Sequence, residues 1–153
     1  MSDYVKELRK FVGNDPLLIP HSIAVVINKD NQVLFEVRSD DGFLDFPGGA
    51  IEIGEDVVEA MKRELFEETN IVANDATLFK VYSGPITYYK YKNGNEIYGI
   101  DLVYIVKDYS GSPIPEKSEV SQLNFISLNE LDTSRLSIRN KQIVKDLLDT
   151  YLK

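Results

Sequence analysis

The sequence predicts an α+β fold, on three observations. Helical periodicity is confined to three separated segments, at the start, near residue 56 and at the close of the chain. Apolar β-branched and aromatic runs fill most of the intervening sequence. The two kinds do not alternate regularly, as a doubly wound α/β sheet would require. A chain of 153 residues can bury about two-thirds of its unfolded surface in one core, so residues 1–153 are expected to form a single domain.

The elements follow in order. Residues 3–12, DYVKELRKFV, place Val5, Leu8, Phe11 and Val12 on one helical stripe and stop at Gly13, a residue suited to a left-handed helix end. The runs HSIAVVIN and VLFEVR flank the turn-forming KDNQ and are expected to pair as a hairpin. SDDGF reads as a loop, LDFPGG leads out of it, and residues 56–69 read as a helix. From Ala76 to Lys107 the chain is rich in Tyr, Val, Ile and Phe and is expected to form strands. Within that stretch KNGN marks a hairpin, because Asn-Gly favours the turn whose twist matches paired strands. YSGSPIPEKSE is a polar loop and QLNFIS a further strand. SIRNKQIVKDLLDTYLK closes the chain as a helix with Ile143, Val144, Leu147, Leu148 and Tyr151 on one face. The hairpins predict mainly antiparallel or mixed pairing.

Composition narrows the function. A formal charge of −8 repels a polyanion, so a nucleic acid duplex is not the expected partner, whereas a small phosphorylated molecule bridged by metal ions is compatible. No apolar run approaches the roughly 18 residues of a membrane span. MSDYVKELRK lacks the apolar core of a signal peptide, so a cytoplasmic location is expected. Zero cysteines remove disulfides, thiolate metal sites and a cysteine nucleophile.

The helix over 56–69 carries the chemistry. At about 100° per residue, Val57, Val58, Met61 and Leu65 define a core-facing arc, while Glu68 falls inside its edge, with Glu64 and Glu67 beside it. A solvated acidic face would lie opposite the core instead. Crowded, half-buried carboxylates are costly unless protonated, paired or bound to a cation. Surface pairing with Lys62 and Arg63 is the plain alternative, Arg63 to Glu67 having the favourable four-residue spacing. FPGG just before the helix favours a cation, because two glycines let backbone approach a ligand and offer carbonyl oxygens beside the carboxylates. An oxygen-only site of this kind suits Mg²⁺ or Mn²⁺.

These residues resemble a known signature. Gly49, five residues, Glu55, seven residues, Arg63-Glu64-Leu65, one residue, Glu67-Glu68, one residue, then Asn70-Ile71 is similar to the Nudix box, which has glycine where this chain has Asn70. Asn is the next residue most able to hold the positive φ that glycine would supply at the helix end. Flanking stretches, YVKELRKFVGNDPLLI and YKNGNEIYGIDLVY among them, also resemble bacterial Nudix proteins. The resemblance implies the Nudix fold, a mixed sheet between helices in an α/β/α sandwich. It further implies hydrolysis of the pyrophosphate bond in a nucleoside diphosphate linked to another moiety.

The same resemblance implies that Glu64, Glu67 and Glu68 bind Mg²⁺ with help from a carbonyl of Gly48 or Gly49, and that Arg63 orients a glutamate. Glu55 would cap free amides or support the metal from behind. The base would be Glu64 or a loop acid, Glu116 or Glu119, with Glu119 the better match. Arg38, Tyr88 and Tyr89 are candidate substrate contacts, and His21 is expected to be structural. Substrate cues conflict: Pro85 resembles ADP-ribose enzymes, and Tyr88 or Tyr89 resembles dinucleoside polyphosphate enzymes. ADP-ribose or a nucleotide sugar is favoured, with a nucleoside triphosphate and a dinucleoside polyphosphate as alternatives. A non-catalytic nucleotide sensor is the reading from another class. Similar proteins are often homodimers, although nothing in this chain marks an interface.

Overall fold

The structure, a computed structural model, describes residues 3–118 and 120–152. Its longest strands are β1 (Leu17–Val26) and β8 (Glu96–Val106), which run parallel in unbroken register from Leu17 against Ile97 to Val26 against Val106. β1 also pairs antiparallel with β4 (Gly48–Ala50), while β8 takes β6 (Thr77–Tyr82) and β7 (Tyr88–Lys90). A second sheet orders β10 (Val120–Ile126), β2 (Val33–Arg38) and β3 (Leu44–Asp45), all antiparallel. A small ribbon joins β5 (Val72–Ala73) to β9 (Tyr109–Ser110).

Among the described residues three α-helices cover these strands: α1 (Asp3–Val12), α2 (Val57–Thr69) and α3 (Ile138–Thr150). Strand residues alternate between faces, so parity sorts the core into two layers. Ile23, Val25, Val33, Phe35, Val103 and Ile105 pack with Ile143, Val144 and Leu147 of α3. Ala24, Val26, Leu34, Tyr104 and Val106 pack with Met61 and Leu65 of α2. A mixed sheet and an antiparallel one thus lie between helices, as expected from the resemblance. A third cluster seats Val5 of α1 on Ile19 and Ile97. Among the described residues no helix is long and apolar enough to cross a membrane.

Two local expectations are corrected. HSIAVVIN and VLFEVR do not form an extended hairpin: after the single bridge Ile27 to Val33 the two strands part into different sheets. β1 is central, with β4 on one side and β8 on the other, so its backbone groups already have partners. Phe11 does not join the α1 stripe and is 86% exposed, since only the first turns of that helix lie against the sheet, through Val5. The Asn-Gly hairpin is present, pairing Tyr88 with Tyr98 and Lys90 with Glu96.

Candidate active site

α2 is pinned at both ends. Asp56, not Glu55, caps its start, accepting from the amides of Val58 and Glu59 at 2.9 and 3.1 Å. Ser22 of β1 donates to the Val57 carbonyl at 2.7 Å, tying the first turn to the sheet. At the other end Asn70 adopts φ 66°, the left-handed conformation expected of a glycine substitute. The loop after β9 then covers the helix end: the amides of Ile114 and Glu116 donate to the carbonyls of Thr69 and Glu68 at 2.8 and 3.1 Å.

With the helix so placed, its acids meet the glycine turn. A Cβ on Gly49 would fall 2.5 Å from Glu64 Cδ, so the absent side chain makes room for that carboxylate. A Cβ on Gly48 would fall 2.6 Å from the Ser22 carbonyl oxygen, so this glycine lets β4 lie close on β1. The Gly48 amide donates to Glu68 Oε2 at 3.2 Å. Glu64 and Glu68 are thereby both held against the turn.

Arg63 organises the exposed side. It donates to both oxygens of Glu55 at 2.6 and 3.0 Å, to Glu64 Oε1 at 2.9 Å and to the Ala50 carbonyl at 3.3 Å. The Arg63 hydrogen bonds hold the Glu55 carboxyl below the usual range, so Glu55 acts here as the anionic anchor for Arg63. Glu67, 55% exposed, makes the four-residue pair with Arg63 at 3.3 Å.

The cleft in front of this turn has a volume of about 1060 Å³ and is lined by β1 and β2 where they part, among other elements. Its far side carries a charged chain. His21 Nδ1 lies 2.8 Å from Asp101 Oδ1, and Arg139 donates to Asp101 and Asp45 at 3.0 Å each. Arg38 donates to Asp40 and to the Tyr89 hydroxyl at 2.9 Å, with its guanidinium 5.2 Å from the Tyr89 ring centre. Tyr88 also lines the cleft, its hydroxyl donating to Glu96. Glu116 reaches the cleft wall, whereas Glu119 lies outside the described residues.

The description NUDIX domain matches residues 18–147. The chain belongs to the Nudix family. An ADP-ribose pyrophosphatase from Methanocaldococcus jannaschii is 30% identical over 148 residues, covering 94% of this chain and 80% of that protein. A protein of Bacillus subtilis named putative 8-oxo-dGTP diphosphatase is 26% identical over 80% of this chain and 75% of its own length. Among solved structures, the MutT NUDIX hydrolase from Burkholderia pseudomallei superposes with a TM-score of 0.72 at 24% identity, covering 86% of this chain and 98% of that one. As a Nudix hydrolase the protein is an enzyme acting on phosphorus anhydride bonds.

One residue lining this cleft lies outside the sequence expectations. Glu36 of β2 is 6% exposed and hydrogen bonds to Glu68. Burial, then the contact with Glu36, then the nearby charge of Glu64 push the Glu68 carboxyl well above its ordinary value. Parity was the available signal: in VLFEVR, Glu36 shares its face with Leu34, and Leu34 is core. Among the described residues no three acids converge on one point as ligands, since Glu64 and Glu67 turn towards Arg63. The donor chemistry nevertheless fits a hard divalent cation: Glu64 lies against Gly49, Glu68 takes the Gly48 amide, and Glu36 touches Glu68, so carboxylate oxygens line one side of the cleft.

Proposed function

We propose that this protein hydrolyses the pyrophosphate bond of a nucleoside diphosphate linked to another moiety, with ADP-ribose or a related nucleotide sugar as the favoured substrate. The observation that carries the reading is the seating of Glu64 and Glu68 on the Gly48–Gly49 turn, with Glu36 touching Glu68, at the wall of a cleft of about 1060 Å³. That volume lies at the upper end for small-molecule sites and suits an extended ligand. Similarity to the Methanocaldococcus jannaschii ADP-ribose pyrophosphatase, along nearly the whole chain, supports the choice of substrate.

Glu64, Glu67 and Glu68 would hold Mg²⁺ or Mn²⁺, with a carbonyl of Gly48 or Gly49. Such a cation, when bound, neutralises phosphate charge and makes water a better nucleophile. The protein's own groups do the rest. Arg63, braced by Glu55, orients Glu64; the Gly48 amide fixes Glu68; and Glu64, Glu116 of the loop over α2, or Glu119 accepts the proton of the attacking water. Arg38 and Tyr89 form a guanidinium and aromatic surface suited to phosphate or base. Residues 1–153 act as one cytoplasmic catalytic unit.

Phosphate release should be followed for ADP-ribose, nucleotide sugars, nucleoside triphosphates and dinucleoside polyphosphates, each with Mg²⁺ and with EDTA. ADP-ribose or a nucleotide sugar is expected to lead, with no turnover in EDTA. Preference for a triphosphate would instead favour the activity named for the Bacillus subtilis relative. Inactivity throughout, with metal bound, would refute hydrolysis and favour a nucleotide sensor.

A further inference from the structure

Glu36 sits at a position where an apolar residue would be the cheapest choice. It lies in the middle of the buried strand β2, on the face that carries Leu34 into the α2 core. A carboxylate there loses hydration, and contact with a second carboxylate adds repulsion unless something positive joins them. Its cross-strand neighbour shows the alternative arrangement. Asp45, directly opposite Glu36 on β3, receives Arg139 at 3.0 Å and the Asn140 amide at 2.9 Å. Glu36 lies against Glu68, which also accepts from the Gly48 amide at 3.2 Å. Through Glu68 the pair is joined to the same turn that receives Glu64 at Gly49.

We infer that Glu36 supplies a further carboxylate oxygen to the divalent cation held by the acids of α2, so that the site draws on β2 as well as on the helix and its preceding turn. The inference rests on the metal-dependent reading above. It has a structural consequence: the strand next to the cleft is tied to the helix through the cation. Binding should stiffen the fork where β1 and β2 part. A residue serving only to fill the α2-facing position would show none of this.

The test is Mn²⁺ binding without nucleotide, by calorimetric titration and by the loss of free-ion paramagnetic resonance signal, on wild type, Glu36→Gln and Glu68→Gln. Thermal melts of the same proteins with EDTA and with Mn²⁺ accompany it. Glu36→Gln removes one of two touching carboxylates, so its melting temperature in EDTA should equal or exceed wild type, while Mn²⁺ affinity falls at least ten-fold and the Mn²⁺-induced rise in melting temperature shrinks. Glu36→Leu, apolar at a buried strand position, serves as a second folded variant and should show the same loss. Wild-type Mn²⁺ affinity in both Glu36 variants, with Glu68→Gln impaired, would overturn the assignment and leave the functional reading standing. Absence of Mn²⁺ binding by wild type would overturn the functional reading itself.

Discussion

Gly49 lies directly beneath the Glu64 carboxylate, where a Cβ would fall 2.5 Å from Cδ and 2.6 Å from Oε1. The neighbouring Gly48 faces unyielding backbone instead, with a Cβ 2.6 Å from the Ser22 carbonyl oxygen and 2.9 Å from Ile23 Cα. Adjacent glycines thus do different work, one for the site and one for the sheet.

Gly49→Ala should therefore keep the fold and lose function. The end of a flexible side chain can swing aside at a cost of about 1 kcal/mol, but the displaced carboxylate should lower turnover by about 100-fold. Gly48→Ala has to move β4 off β1 and should cost about 3 kcal/mol in chemical denaturation. Equal stability of the two variants would contradict this division.

Glu68→Gln should abolish turnover while leaving the fold intact. The raised pKa of Glu68 also sets a pH dependence in the cation-free protein. The folded chain keeps a proton that the unfolded chain releases near 4.5, so the associated stability is complete below that pH and drains away as pH rises. Melting temperature in EDTA should fall between about pH 5 and pH 8, and Glu68→Gln should flatten the fall.

Asp101 is 1% exposed, and although burial opposes its charge, the His21 hydrogen bond and Arg139 hold its carboxyl below the ordinary value. The stability it contributes is present above 3.8 and lost as pH falls through its lowered folded value. Asp101→Asn should destabilise by about 3 kcal/mol, because Arg139 then loses one of two anionic partners in a half-buried setting. Urea unfolding at neutral pH reads this directly, and a loss under about 1 kcal/mol would show that Asp45 alone satisfies Arg139.

At the end of α2, Asn70→Gly should stay within about 1 kcal/mol of wild type and keep activity, since both residues accept positive φ. Asn70→Val should cost about 2 kcal/mol and weaken the loop contact at Glu68, because a β-branched residue resists that conformation. Circular dichroism melts with parallel rate measurements check both.

Local patterns were legible wherever a single segment decides its own state. The 3.6-residue spacing of Val57, Met61 and Leu65, and Asn70 at the end of that run, marked α2; KNGN marked the β7–β8 turn. The placement of Glu68 at the edge of the apolar arc followed from the same helical geometry, and the structure puts it against Glu36 in the interior. The expected β1–β2 hairpin shrinks to one bridge because the turn signal in KDNQ speaks only for its own neighbourhood, whereas ten residues of β1 pair with a strand 80 positions away.

What the sequence determined by itself is the helix, its left-handed end at Asn70 and the spacing of its acids, because neighbouring residues set those through backbone geometry. Tertiary structure alone decided that Glu36 meets Glu68, that Asp101 joins His21 to Arg139, and that a cleft opens where β1 and β2 diverge. Each of those contacts joins segments far apart in the chain, and only the shared burial of opposite sheet faces under α2 and α3 brings them together.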